Sequence, residues 1–231
     1  MTKEKYTLLE NYMLTCMQDA AHDKEHIYRV LYHALQIAGT EANVDYDVLI
    51  GACLLHDIGR QEQYENPALC HAKVGSEKAY QFLLEHGFAE DYAMQVKQCI
   101  STHRYRKDNL PQSLEAKILF DADKLDCVGA MGIARTLLYK GIVSDPLYTL
   151  REDGTISSGE NDTEPSFFQE YKYKLENLYS SFYTEKAKEM AKARQRSAVE
   201  FYNSLYGEVK DSYEKGKREL EKIGLVEGGM T

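Results

Sequence analysis

Tryptophan is absent from this chain, proline occurs only four times, and no apolar run approaches the roughly 18 residues that a membrane-spanning helix requires. Scarce proline leaves helices uninterrupted, and abundant Ala, Leu, Glu and Lys favour them, so helix is expected throughout. No segment shows a strand-like alternation of comparable strength, which makes the expected fold class all-α. Basic runs are missing too. A net charge of −9 excludes a bulk polyanion such as duplex nucleic acid as the expected partner. A small anionic ligand remains compatible, because one cation in a cleft reverses the local sign. The five cysteines, Cys16, Cys53, Cys70, Cys99 and Cys127, are odd in number and form no Cys-x-x-Cys, the usage of a reduced protein. The opening MTKEKYTLLE has no signal-peptide character. A soluble, cytoplasmic protein without membrane contact is expected.

Apolar periodicity places the helices. The first, from about Lys3 to Asp19, aligns Tyr6, Leu9, Met13 and Cys16. The second opens at His22-Asp23, with Asp23 as N-cap, and buries Ile27, Val30, Leu31, Ala34 and Ala38; His26 stands at the edge of that face, near the helix start. A third, Asp45 to His56, is almost wholly apolar after Val48 and belongs at the centre of the fold. A loop from Gly59 to Leu69 is expected next, then helices from His71 to His86, from Asp91 to His103, and from Ser113 onward. The last carries the stripe Leu114, Ile118, Ala122, Leu125 and Gly129. The Gly-rich continuation from Gly129 to Arg135 would let another helix or a ligand approach the backbone. Turn residues crowd Ser144 to Pro165, which reads as a mobile flap near the site. Beyond it Phe168, Tyr171, Leu175, Leu178 and Phe182 form a packing seam, Thr184 caps a further helix, and the charged end frays at Gly228-Gly229. At 231 residues the expected organisation is a helical core over 1–145, a flap over 146–165 and C-terminal helices packing on the core over 166–231.

Chemistry concentrates at His56-Asp57, where an apolar helix meets Gly59. Imidazole nitrogen and carboxylate oxygen are both good ligands for divalent metals, and at a helix end adjacent side chains can turn toward one ion. His26, His71, His103 and one aspartate of the Asp121 to Asp126 run stand at helix-compatible places on either side. Periodicity leaves open which aspartate faces inward. His22, His33 and His86 read as solvated, and Cys53 and Cys70 as small residues in or near the core. Arg60, Arg104, Lys124 and Arg135 are cations near these motifs, able to clamp phosphates.

Collected in order, His26-Ile27-Tyr28-Arg29-Val30, Leu54-Leu55-His56-Asp57-Ile58-Gly59 and Ala122-Asp123-Lys124-Leu125 resemble the three blocks of the HD-domain superfamily of metal-dependent phosphohydrolases. The resemblance covers roughly the first 140 residues at motif level, and more loosely reaches single-domain members thought to act on nucleotides. It implies a helical bundle with His26, His56, Asp57 and Asp123 as metal ligands, Asp121 being the reserve for the last. His71-Ala72-Lys73-Val74-Gly75 and Ile100-Ser101-Thr102-His103 resemble the extra histidine blocks of binuclear members, which adds His71 and His103 and a second ion. One or two divalent ions per chain are implied (Mn, Fe, Co, Ni, Mg or Zn). The Gly-Tyr-Pro signature of cyclic-dinucleotide phosphodiesterases is missing after His103, where Arg104-Tyr105-Arg106 stands.

The implied activity is hydrolysis of a phosphate ester or anhydride in a nucleotide-like small molecule. A divalent ion lowers the pKa of bound water from ~15.7 to near ~7 and so supplies hydroxide at neutral pH. Asp57, the ligand placed to bridge two ions, would also orient that nucleophile. Two alternatives share the same residues: a di-iron oxygenase, and a non-catalytic nucleotide sensor. The aromatic seam is compatible with a homodimer.

Overall fold

The computed structural model describes residues 1–17 and 24–225. The readings of His22, Asp23 and Gly228-Gly229 fall outside them. Among the described residues every regular element is helical, apart from an isolated antiparallel bridge between Leu150 and Ile156, so the class is all-α as expected. No helix among the described residues is long and apolar enough to cross a membrane. The chain divides into two compact units, Met1–Asp126 with Phe182–Met190, and Cys127–Ser181 with Ala191–Thr231.

The first unit contains α1 (Lys3–Cys16), α2 (Lys24–Ala38), α3 (Tyr46–Leu55), α4 (Arg60–Glu65), α5 (His71–Glu85), α6 (Glu90–Thr102) and α7 (Leu114–Leu125). Its centre is α3. The Asp45 carboxylate starts this helix by accepting the N–H groups of Asp47 and Val48. From Val48 to Leu55 every residue but Ile50 is buried. A helix apolar on all sides must be wrapped on all sides, and α1, α2, α5, α6 and α7 pack around it. Each buried Leu or Val contributes about 1.5–3 kcal/mol relative to exposure, so this helix is fixed firmly and the residues at its end are fixed with it. Ser113 caps α7 by accepting the Ala116 N–H at 3.1 Å. Buried Glu115 accepts the Asp45 N–H at 2.9 Å, which ties the starts of α3 and α7 together.

Two sequence expectations need correction here. The Gly59 to Leu69 stretch is not wholly loop, because α4 occupies Arg60–Glu65. Its six residues all tolerate helix and contain neither Gly nor Pro. The turn has no buried residue, so it left no apolar period to find, and Asn66-Pro67 ends it. Gly129 does not extend the stripe of α7, which stops at Leu125; it opens the next helix at φ +67°.

The second unit contains α8 (Gly129–Ile142), α9 (Phe167–Tyr173), a 3-10 turn (Leu175–Ser180) and, from Ala191, the long helix α10 (Glu185–Lys222). Ile133, Ile156, Phe167, Phe168, Tyr171, Leu175, Ala198 and Tyr202 form its core, so the aromatic seam is packing, as its spacing indicates. The expected close approach at Gly129 is present: a Cβ added there would lie 2.8 Å from Arg194 Cβ on α10. The segment read as a flap is knit by hydrogen bonds. Asp162 accepts from Thr149 Oγ1 at 2.8 Å and Ser157 Oγ at 2.6 Å, and the Phe167 and Phe168 N–H groups donate to Pro146 and Leu147 carbonyls at 3.0 Å.

In the first unit, Gly59 sets how near α5 comes to the end of α3. A Cβ there would sit 2.5 Å from both Gly75 N and His71 O, backbone atoms that cannot rotate away. Gly59→Ala is therefore expected to cost about 2 kcal/mol or more in denaturant unfolding, the usual scale of overpacking. Gly207→Ala serves as the control. That position is inside α10 with nothing within 4 Å of an added Cβ, and the same change there should stabilise by about 0.5–1 kcal/mol.

Candidate metal centre

Five helix ends deliver the residues. His26 lies in the first turn of α2, His56 and Asp57 follow α3, His71 opens α5, His103 follows α6, and Asp123 is in the last turn of α7. Far apart in sequence, they meet in two groups. His26, His56 and Asp123 form one; Asp57, His71 and His103 form the other. In the first, His26 Nε2 lies 3.4 Å from His56 Nε2 and 3.2 Å from Asp123 Oδ1, and His56 Nε2 lies 4.0 Å from Asp123 Oδ1. In the second, His71 Nε2 and His103 Nε2 are 3.2 Å apart and stand 3.5 and 3.6 Å from Asp57 Oδ1. Asp57 joins the groups. Its Oδ2 faces the first at 3.6 Å from His26 and 3.7 Å from His56, while its Oδ1 faces the second. All these side chains are buried except that of Asp123, which is 21% exposed.

The ring orientations follow from the opposite nitrogens. His56 Nδ1 donates to Cys53 O at 2.8 Å, His103 Nδ1 to Ile100 O at 2.7 Å, and His71 Nδ1 to Gln63 Oε1, an oxygen that also accepts the His71 backbone N–H. Carbonyl oxygens only accept, so these three Nδ1 atoms carry the proton. Burial pushes His56 down to about 4 and His71 down to about 3, so both rings are neutral at pH 7 and present a bare Nε2 lone pair. Burial also opposes charge on Asp57, but the Arg60 guanidinium, 3.0 Å away, and the imidazoles outweigh it and hold the carboxyl well below its usual range. For Asp123 burial is likewise outweighed, first by the adjacent His26 ring.

Bare imidazole nitrogens thus face carboxylate oxygens in a dry interior. Lone pair against anion is repulsive, and Asp57 Oδ1 has no hydrogen-bond partner despite being buried. A divalent cation satisfies both groups at once. Ligands about 2.0–2.2 Å from such an ion lie roughly 3 Å or more apart, the scale of the separations here. The donor set therefore fits a divalent metal.

The other residues singled out by sequence fall in different places. Asp121, the reserve ligand, is turned away from both groups: its carboxylate accepts the N–H groups of Tyr183 and Thr184 and the Thr184 hydroxyl, at 2.7–3.1 Å. Arg60 reaches the centre through Asp57. Arg104 directly follows His103, the residue after α6. Lys124 sits over the Phe120 ring at 4.0 Å and the Tyr105 ring at 5.3 Å. Arg135 is on α8, in the second unit. Sequence reasoning gave no role to Gln63 or Arg29, and weighed Asp126 only as a member of the run that could supply the last ligand. The signal for Gln63 was hidden with α4. Arg29 and Asp126 could have been found from their spacing, three residues after His26 and three after Asp123, on the same helix faces.

A family model for the HD domain matches residues 24–127. A protein described as a predicted HD superfamily hydrolase, from an uncultured Thermotogales bacterium, is 30% identical and superposes with a TM-score of 0.59 over 87% of this chain and 90% of its own. The chain belongs to the HD-domain superfamily. An HD-superfamily hydrolase from Bacillus thuringiensis matches with a TM-score of 0.65 at 26% identity, over 89% of this chain and 97% of its own. YpgQ of Bacillus subtilis, itself uncharacterized, is 26% identical over 196 residues, 83% of this chain and 86% of its own. The crystal structure of YpgQ in complex with ADP superposes with a TM-score of 0.67 at 24% identity, over 87% and 97% of the two chains. All six residues of the centre, from His26 to Asp123, fall within the stretch that the HD model matches.

Two outcomes follow for the metal-free protein. Because His56 and His71 titrate below the ordinary histidine value and Asp57 and Asp123 below the ordinary carboxylate value, the unfolded chain binds more protons than the folded one on the acid side. Stability measured by urea unfolding should fall steadily as pH drops below about 6.5, the reference value for histidine. Asp121→Ala strips the acceptor from buried donors and should cost about 3 kcal/mol in the same assay. Metal bound per folded molecule should be unchanged in that variant.

Proposed function

We propose that this HD-domain protein is a metal-dependent phosphohydrolase that cleaves a phosphate ester or anhydride in a nucleotide-like small molecule. One observation carries the reading: a single buried carboxylate, Asp57, turns one oxygen to each of two histidine groups. The hydrolases of the same superfamily among its structural relatives support the reaction class, and the YpgQ complex with ADP supports a nucleotide-like substrate.

His26, His56, Asp123 and Asp57 would hold one divalent cation, and His71, His103 and Asp57 a second; these would supply acidified water and neutralise charge on phosphoryl oxygens. The protein's part is orientation. Asp57 holds the two groups at a fixed separation and offers a carboxylate beside the attacking water. The Nδ1 hydrogen bonds keep the rings from turning, and burial keeps His56 and His71 neutral. Asp123 and Arg60 are the most exposed members of the cluster, at 21% and 37%, so substrate reaches it from their side. Arg60 and Arg104 are assigned to phosphoryl oxygens there, as cations beside the ligand residues.

The test is phosphate release from a panel of nucleoside mono-, di- and triphosphates with manganese, cobalt, nickel or iron(II), together with metal analysis. The expected result is turnover of at least one nucleotide, two ions per wild-type chain, and one ion in His71→Ala. Asp57→Ala should lose metal and turnover while keeping its helicity. Turnover supported by redox-inert metal without oxygen separates this reading from a di-iron oxygenase. Metal bound in full with no phosphorylated compound cleaved would overturn the proposal.

A further inference from the structure

The HD signature accounts for the Nε2 side of His26 but not for what holds its other edge. His26 Nδ1 lies 2.8 Å from Asp126 Oδ2. Asp126 is 1% exposed, and an aspartate is not buried at that level without compensation. Arg29 supplies it: Nε donates to Asp126 Oδ1 at 2.7 Å and Nη2 to Oδ2 at 3.0 Å, a two-pronged pairing that fixes the carboxylate plane. The backbone organises all four groups. His26 and Arg29 are one turn apart on α2, Asp123 and Asp126 one turn apart at the end of α7, and these two helices pack together. His26 is consequently clamped, with Asp123 Oδ1 3.2 Å from Nε2 on one edge and Asp126 on the other.

We infer that Asp126, locked by Arg29, is a positioning residue that holds the Nδ1 proton of His26 and so dedicates Nε2 to the metal. Other groups at the centre use backbone carbonyls or an amide oxygen for this purpose. His26 alone, among the four, has a carboxylate. An anionic acceptor pulls harder on the Nδ1 proton and makes Nε2 a stronger donor. The inference rests on His26 being a metal ligand, as proposed above.

The experiment uses the full-length protein loaded with zinc, a diamagnetic probe. Chelator competition gives the affinity, and nitrogen-15 spectra of the histidine rings give the protonated nitrogen. In the wild type the His26 Nδ1 should carry the proton and Nε2 the metal-bound shift. Asp126→Asn keeps the shape but replaces one oxygen that both Arg29 and His26 require with an amide N–H. Affinity should fall by about 10- to 100-fold, and the His26 signals should shift while those of His71 and His103 stay in place. Arg29→Met, which leaves Asp126 present but unanchored, should fall in the same direction by less. An Asp126→Asn protein with unchanged affinity and unchanged His26 signals would overturn the inference. Should that variant fail to fold, the wild-type spectrum still decides, since a His26 ring bound through Nδ1 is incompatible with it. Wild-type protein that takes up no metal at all would instead sink the functional reading on which the inference stands.

Discussion

Everything at the centre of the first unit answers to one electrostatic conflict: unprotonated ring nitrogens and ionised carboxylates are held within 4 Å of one another in a largely buried setting. In an interior of low effective dielectric such groups repel more strongly than they would in solution. Partial relief is built into the chain, through the guanidiniums of Arg60 on Asp57 and Arg29 on Asp126. What these cations leave unbalanced is directed inward, to the points faced by the Nε2 atoms and by Asp57 Oδ1.

The scaffold keeps the conflict in place by using helix ends. Adjacent residues inside a helix diverge by about 100°, so a His-Asp doublet in mid-helix could not serve two neighbouring groups. At the end of α3 the chain leaves the helix at His56, and Asp57 is free to lie between the groups. This works because α3 is too apolar to shift, and because α5 comes backbone to backbone against Gly59 at its own Gly75, with no side chain between them. His71 is thereby drawn to the same point. The packing and the ligand geometry are the same constraint seen at two scales.

Most of this was legible in the sequence, for reasons that also explain what was not. Long helices with a buried stripe leave a period, and α2, α3, α5, α6 and α7 were readable within a few residues. The histidines and Asp57 were readable because a histidine or aspartate beside an apolar helix end is unusual. α4 was invisible since it buries nothing, and Gln63 went with it. The choice among the aspartates had no answer in periodicity: Asp121 and Asp126 flank the stripe of α7 while Asp123 lies further round, and only the approach of residues 183 and 184 shows that Asp121 is committed to their N–H groups. Asp126 was weighed only as one aspartate of its run, because single residues were considered one at a time. Its meaning lies in a pair of pairs, His26 with Arg29 and Asp123 with Asp126, and such a pattern needs two helices in view.

A centre of this kind couples folding to ligand. Buried like-signed and unsatisfied groups cost free energy in the folded state, and the unfolded chain, in which they are hydrated and apart, is spared it. A cation that binds only the folded arrangement stabilises it by RT ln(1 + [L]/Kd), about 2.7 kcal/mol when free metal stands at a hundred times Kd. Against a typical domain stability of about 5–15 kcal/mol that is a large share. The first unit therefore need not be built from packing alone to full stability. It can tolerate strain around Asp57 because, on the proposed function, the group that would relieve the strain is also the group that would supply the chemistry, and the two requirements select the same geometry.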